Sequence, residues 1–280
     1  MKILVTGYPG LLSSDLVPIL RRDHEMIPLS IKDLDITSKE DVFKTVENLQ
    51  PEVVINCAGY TAVDQAEKDW EGAFQVNALG AHHLALACRG YNVILCHIST
   101  DYVFDGRANR PYQPWETPNP INVYGASKRA GEFFVSNLMH RYYIVRTSSL
   151  YGHHGPNFVR AILNKAEQGG PLTIVCDQVM SPTWSVDLSQ GILQILRSGN
   201  FGTYHLTDQT NGGISWYEFG QAVLKAGGLN QEVLPIRCQD LNRPAPRPAY
   251  SVLDTRYLTM ATGYHPLSWQ EALKQFLGDR

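Results

Sequence analysis

Ile3-Leu4-Val5-Thr6-Gly7-Tyr8-Pro9-Gly10-Leu11-Leu12-Ser13 decides the fold. A short β-prone apolar run ends in a glycine turn, and the helix-length segment Ser14 to Arg22 follows directly. A turn in this place can hold a dinucleotide pyrophosphate on backbone N–H groups and on the positive end of the helix. The pair Gly7 and Gly10 also fits an ordinary strand-to-helix turn, so position carries more weight than pattern. Ser13 occupies the third small position, where its hydroxymethyl group predicts a helix displaced slightly outward.

The same alternation continues outward. Met26 to Leu29, Val53 to Asn56, Val93 to Ser99 and Tyr142 to Arg146 read as strands. Ser38 to Leu49, Trp70 to Arg89 and Gly125 to Asn137 carry apolar residues at helical spacing, and Ser38 followed by Asp41 reads as a helix start. Strands alternating with helices predict an α/β, Rossmann-like, doubly wound parallel sheet. Past residue 148 the rhythm changes. Gly and Pro gather in Tyr151 to Pro156, Gly169 to Pro171 and Arg243 to Pro248, between predicted helices over Asn157 to Gln168, Asp187 to Arg197, Ser215 to Ala226 and Ser268 to Leu277. The expected organisation is an NAD(P)-binding domain over 1–148 and a smaller substrate lobe over 149–280, with some segments of the second returning to the first.

The second strand runs into Ser30-Ile31-Lys32, with no carboxylate placed to accept from an adenosine ribose hydroxyl. Lys32 can meet a 2′-phosphate, which favours NADPH, with NADH as the alternative. A solvated loop charge is the plainer account of Lys32, and Asp33 and Asp35 follow closely. Asn56-Cys57-Ala58-Gly59-Tyr60-Thr61 closes the third strand with small residues that admit a dinucleotide to the backbone, or simply make a tight turn.

Chemistry enters with Asn122-Val123-Tyr124-Gly125-Ala126-Ser127-Lys128 and Ser99-Thr100-Asp101. Tyr124 and Lys128 lie one helical turn apart on one face. A phenol ordinarily ionises near pH 10, so a neighbouring ammonium that lowers that value suits a reversible proton donor. Thr100 ends the strand that reaches the carboxyl edge, where open α/β sheets bind ligands. From there it can hold a substrate carbonyl while hydride arrives and Tyr124 protonates the alkoxide. Asp101 can orient a sugar hydroxyl. Local capping after the strand is the alternative for both Thr100 and Asp101.

Bulk properties exclude other classes. The 280 residues, 44% hydrophobic and 18% charged, have a net charge of -3, which leaves no basic excess for nucleic acid. The absence of a membrane-length apolar run or a leader segment predicts a cytoplasmic protein with no membrane partner. Cys57, Cys88, Cys96, Cys176 and Cys238 read as reduced core residues. His82-His83 and His153-His154 lack partners at ligand spacing and read as helix surface and loop. Trp184, Trp216 and Trp269 read as packing in the second lobe, with Trp184 the one alternatively assigned to the cleft. Arg247, in a proline-rich loop, suits either a diphosphate or an exposed position.

Across nearly its whole length the chain resembles the dTDP-4-dehydrorhamnose reductase family of extended short-chain dehydrogenase/reductases. The stretches that carry the likeness include Ile3 to Gly7, Leu34-Asp35-Ile36-Thr37, Pro51 to Ala58, Thr61 to Asp64, Ser99-Thr100-Asp101-Tyr102-Val103-Phe104-Asp105-Gly106, Asn122 to Gly125 and Arg146-Thr147-Ser148. The likeness extends into the second lobe through Asp177-Gln178, Pro182-Thr183, Tyr204-His205-Leu206 and Arg247-Pro248 with Ser251. It implies that Tyr124 is the proton donor, that Lys128 holds the nicotinamide ribose, and that Thr100 and Asp101 contact a nucleotide sugar. Implied cofactor contacts are Gly10, Leu11, Leu12, Asp35, Ile36, Gly59, Tyr60, Thr61, Tyr124 and Lys128, beside Gly7 and Ala58 from the turns. The implied reaction is NAD(P)H reduction of the 4-keto group of a dTDP-linked 6-deoxy sugar. Ser149 stands where the family usually carries a tryptophan against the sugar, which opens the pocket to a related keto sugar. Some members dimerise through magnesium. Asp15 is acidic at a comparable place, but no full ligand set is traceable, so no metal is expected and the oligomer is a monomer or homodimer. The resemblance also reaches a non-catalytic relative, the regulatory subunit of methionine adenosyltransferase.

Overall fold

The computed structural model describes residues 1–278. In chain order its first half contains β1 (Lys2–Thr6), α1 (Leu11–Leu20), β2 (Glu25–Leu29), α2 (Lys39–Leu49), β3 (Val53–Asn56), α3 (Val63–Ala66) and α4 (Trp70–Phe74). A π-helical segment (Gln75–Gly80) leads into α5 (Ala81–Gly90), then β4 (Ile94–Thr100), a 3₁₀ turn (Asp101–Val103), α6 (Val123–Leu138) and β5 (Tyr142–Thr147). The second half adds β6 (Leu150–Tyr151), α7 (Phe158–Glu167), β7 (Leu172–Val175), β8 (Val179–Met180), β9 (Thr183–Trp184), α8 (Ser185–Ser198) and β10 (Gly202–His205). It ends with β11 (Ile214–Ser215), α9 (Trp216–Ala226), β12 (Val233–Ile236), α10 (Arg256–Thr262) and α11 (Trp269–Gly278).

Six parallel strands form the main sheet in the order β10-β5-β4-β3-β1-β2. The chain reverses direction across the sheet between β1 and β3, so the crevice beyond their carboxyl ends is the expected ligand site. Both strands are buried on both faces because helices cover the sheet on either side. One layer packs Leu16, Leu20, Leu188 and Ile192 against the sheet; the other packs Val42, Val46, Leu84 and Val135. The α8 helix and β10, both past residue 148, belong to this first body. Around Phe219, Leu163, Trp184 and Phe276 lies a separate core, that of the smaller lobe.

Two buried groups of ionisable side chains brace the fold. Glu132 on α6 holds Arg146 on β5 through two hydrogen bonds of 2.7 and 2.8 Å, and Arg146 also donates to the Pro114 carbonyl. Removing one partner of such a pair leaves a buried charge, at about 3–5 kcal/mol. Where the two cores meet, Asp208 accepts from the Trp184 backbone N–H, while Asp187 at the start of α8 accepts from the Tyr264 hydroxyl and the Leu267 N–H. Burial and the neighbouring Asp187 push the Asp208 carboxyl well above the usual carboxylate range.

Three local readings gain detail. The segment read as helical over Trp70 to Arg89 is helical throughout, with a π-helical stretch between α4 and α5 where Asn77 turns its amide into the protein. It accepts from the Tyr60 N–H at 2.9 Å and donates to the Tyr60 carbonyl at 3.0 Å. Ser13 is accommodated at the start of α1. Its hydroxyl accepts from the Gly10 N–H at 2.8 Å and donates to the Gly7 carbonyl at 2.9 Å, closing the turn that a third glycine would leave open. All five cysteines are free, but only Cys88 and Cys96 are buried; Cys57 and Cys238 are half-buried and Cys176 is exposed. Cys176 follows the end of β7, where apolar sequence no longer implies burial.

Candidate active site

A cleft of about 860 Å³ opens at the carboxyl edge of the sheet, bounded on one side by the ends of β1, β2 and β3. Gly7, with φ of +74°, turns the chain there, and a Cβ would stand 2.6 Å from the Ala58 nitrogen. Only glycine combines that backbone conformation with that approach. Gly10 caps α1 without a side-chain acceptor, so the first N–H groups of α1, at Leu11 and Leu12, border the cleft unmatched. Gly59, Tyr60 and Thr61 continue the wall from β3. This glycine turn, uncapped helix start and apolar trough fit a dinucleotide.

Every cofactor residue expected from the sequence, Gly7, Gly10, Leu11, Leu12, Asp35, Ile36, Ala58, Gly59, Tyr60, Thr61, Tyr124 and Lys128, lines this one cleft. The two acids near the end of β2 are occupied locally. Asp33 accepts from the Ser30 N–H and hydroxyl at 2.9 and 2.6 Å, and Asp35 accepts from the Thr37 N–H and hydroxyl at 2.9 and 2.8 Å. Lys32 is exposed beside them.

The opposite side carries the reactive groups. Asn122 caps α6, accepting from the Gly125 N–H at 2.7 Å, and donates to the Pro246 carbonyl at 2.8 Å. Gly125 lets this helix press onto the turn after β4, since a Cβ would stand 2.1 Å from the Tyr102 carbonyl oxygen. That approach sets Tyr124 against Thr100. Desolvation pushes the Tyr124 phenol up to about 12, and hydrogen bonding to Thr100 is what draws it the other way. The Lys128 ammonium, one turn along α6, donates to the Ile98 carbonyl at 2.5 Å, and burial draws it down to about 8.

Asp101 is buried in the cleft, pushed up to about 6 by desolvation and pulled back by hydroxyl donors. Ser149 lines the cleft with φ of +49°, a left-handed conformation fixed where Thr183 donates its hydroxyl to the Ser148 carbonyl and its N–H to that of Ser149. Arg247 does not reach the lining. Both of its terminal nitrogens donate to Asp64, at 2.9 and 2.7 Å, because α3 presents that carboxylate beneath the proline-rich loop. Trp184 packs in the lobe core, whereas Trp216, at the start of α9, borders the cleft. Sequence reasoning missed Trp216 and Asn77. An asparagine inside an apolar helical run was the one available signal for Asn77. Asp15 accepts from the Ser185 hydroxyl and stands 3.5 Å from His154. Among the described residues no group of three His, Cys, Asp or Glu is arranged to hold a metal ion.

A parallel sheet with a dinucleotide cleft at its switch point, and a tyrosine, a lysine and a threonine gathered across from it, defines a nicotinamide-dependent oxidoreductase of the short-chain dehydrogenase/reductase type. The model described as the RmlD substrate binding domain matches residues 1–280, and the chain belongs to that family. It is 38% identical to the spore coat polysaccharide biosynthesis protein SpsK of Bacillus subtilis over 100% of this chain and 98% of the relative. It is 40% identical to dTDP-4-dehydrorhamnose reductase of Streptomyces griseus over 97% of this chain and 91% of the relative. The crystal structure of dTDP-4-dehydrorhamnose reductase from Bacillus anthracis in complex with NADP superposes with a TM-score of 0.97 at 37% identity, covering 100% of both chains.

Proposed function

We propose that this protein uses NADPH to reduce the 4-keto group of a dTDP-linked 6-deoxy-4-keto sugar, with dTDP-4-dehydrorhamnose as substrate and dTDP-L-rhamnose as product. The observation that carries the reading is the meeting of Thr100, Tyr124 and Lys128 across one cleft from the glycine turn of β1. Bound NADPH supplies the hydride. Thr100 and Tyr124 hold the sugar oxygen, and Tyr124 delivers its proton as charge develops there. A phenol held near 12 is fully protonated at neutral pH, so the donor is loaded at the start of each turnover. Lys128 positions the nicotinamide ribose from the floor of the cleft. NADP in the Bacillus anthracis structure supports NADPH over NADH. Five free thiols suit a reducing compartment such as the cytoplasm, and no helix among the described residues is long and apolar enough to cross a membrane.

A second reading within the same class comes from Ser149, whose small side chain leaves the sugar wall open to a bulkier dTDP-4-keto sugar. The test is oxidation of NADPH and NADH by the purified protein with dTDP-6-deoxy-L-lyxo-4-hexulose, with Tyr124→Phe as control. Expected is NADPH-preferring turnover that falls by about 10²–10⁴ in the variant while cofactor binding persists. Cofactor binding without turnover would shift the assignment to another keto sugar. Tyr124→Phe turning over at the wild-type rate would remove Tyr124 from the chemistry.

A further inference from the structure

Tyr124 must recover a proton after every turnover, and a chain of hydroxyl groups links it to a buried acid. Asp101 Oδ1 accepts from Thr100 Oγ1 at 3.1 Å, and Thr100 borders the cleft beside Tyr124, close enough to act on its phenol. Asp101 Oδ2 accepts from Ser148 Oγ at 2.9 Å, and Ser148 Oγ lies 3.3 Å from Ser149 Oγ at the border of the cleft. Among the described residues no ion pair engages Asp101. Facing it are Thr100 and Tyr102 from its own turn, Tyr124 from α6, Ser148 past β5 and Ser251 from the 248–254 segment. Lys128 borders the same cleft from α6, while Arg243 and Arg247 act on Tyr102. A buried carboxyl surrounded by hydroxyls and left without a counter-ion exchanges protons near neutrality far more readily than an ordinary aspartate.

Building on the reductase reading, we propose that Asp101 is the proton store of this site, recharging Tyr124 through Thr100 and refilled from solvent through Ser148 and Ser149. The Tyr124 O–H bond breaks as the product hydroxyl forms. The phenolate then takes the proton of Thr100 Oγ1, and Thr100 takes the proton of the Asp101 carboxylic acid. The Asp101 carboxylate finally takes one proton from solvent along Ser149 and Ser148, so each turnover consumes one solvent proton. With the acid near 6 and the phenol near 12, recharging is downhill by a factor on the order of 10⁶.

The test is stopped-flow NADPH oxidation with dTDP-6-deoxy-L-lyxo-4-hexulose, comparing wild type, Asp101→Asn and Ser148→Ala, with NADPH binding as the check on folding. In Asp101→Asn the first turnover still draws on the proton already on Tyr124. The steady state should therefore fall at least about tenfold more than the first turnover, giving a burst of one NADPH per site, and added imidazole buffer should raise the slow phase. Wild-type kcat should decline as pH rises through about 6, where the store empties, and Asp101→Asn should lose that limb. If Asp101→Asn does not fold, Ser148→Ala carries the test through the same buffer-relieved slow phase. Equal loss in first and later turnovers, with no response to buffer and an unchanged pH profile, overturns the proton store while the reductase reading stands. No turnover by wild type overturns the reductase reading and the store together.

Discussion

On the cofactor side of the cleft, Gly7, Gly10 and the Ala58 to Thr61 segment present main chain from the ends of adjacent parallel strands. On the substrate side the lining is Thr100, Asp101, Ser148, Ser149 and Trp216, side chains gathered from three distant parts of the sequence. The first wall follows from topology, and a change such as glycine to Ser13 is absorbed by two new hydrogen bonds. The second wall is specified by side-chain identity, so its changes should alter which sugar fits while leaving the cofactor untouched. The largest expected effect therefore comes from disturbing backbone on the cofactor side. Gly7→Ala forces a Cβ to 2.6 Å from the Ala58 nitrogen in a backbone region that L-residues avoid. Strain of about 1–3 kcal/mol plus the displaced turn should weaken NADPH binding at least about 100-fold, measured by fluorescence titration. Near-wild-type binding would show that the turn yields and break the contrast between the walls.

A smaller effect is expected on the opposite wall. Trp216 packs at a tilt against Phe158, with ring centroids 4.6 Å apart, and borders the cleft from α9, which is fixed by a reciprocal cap between Ser215 and Glu218. Trp216→Ala should raise the KM for the sugar nucleotide about five- to tenfold, corresponding to about 1 kcal/mol of lost apolar contact, and leave the Kd of NADPH unchanged. Equal weakening of both ligands would mean that the two walls are mechanically one unit.

The same contrast explains what the sequence disclosed. Strand and helix alternation, the Gly7 turn and the Tyr124/Lys128 spacing are local patterns, and the fold follows from them; cleft positions such as Asp35 and Ile36 were legible only through the family resemblance. The return of β10 to the far edge of the sheet depends on α8 packing across α1, a relation with no local signature. Arg247 was open to a diphosphate because its partner Asp64 lies 183 residues away. Asn77 sits in the π-helical stretch and bonds to the Tyr60 backbone, 17 residues away and outside any helical period. The surroundings of Tyr124 were closed to sequence for a related reason. Spacing put it on one face with Lys128, but only the packed site shows the Lys128 ammonium bonded to the Ile98 carbonyl and Thr100 acting on the phenol.

Lys32 sharpens the comparison with the smallest effect, because it is a side-chain feature on the wall that backbone builds. It is exposed, and Asp33 beside it is tied to Ser30, so the ammonium can approach a 2′-phosphate across solvent. An exposed ion pair contributes about 0–1 kcal/mol and is screened by salt. Lys32→Ala should therefore raise the Kd of NADPH only about three- to fivefold, leave that of NADH unchanged, and lose its effect at high ionic strength. An equal change for both cofactors would separate Lys32 from the 2′-phosphate. A loss greater than about 100-fold would show that one exposed charge outweighs the strand ends and the α1 N–H groups, and the claim that main chain dominates this wall would fail.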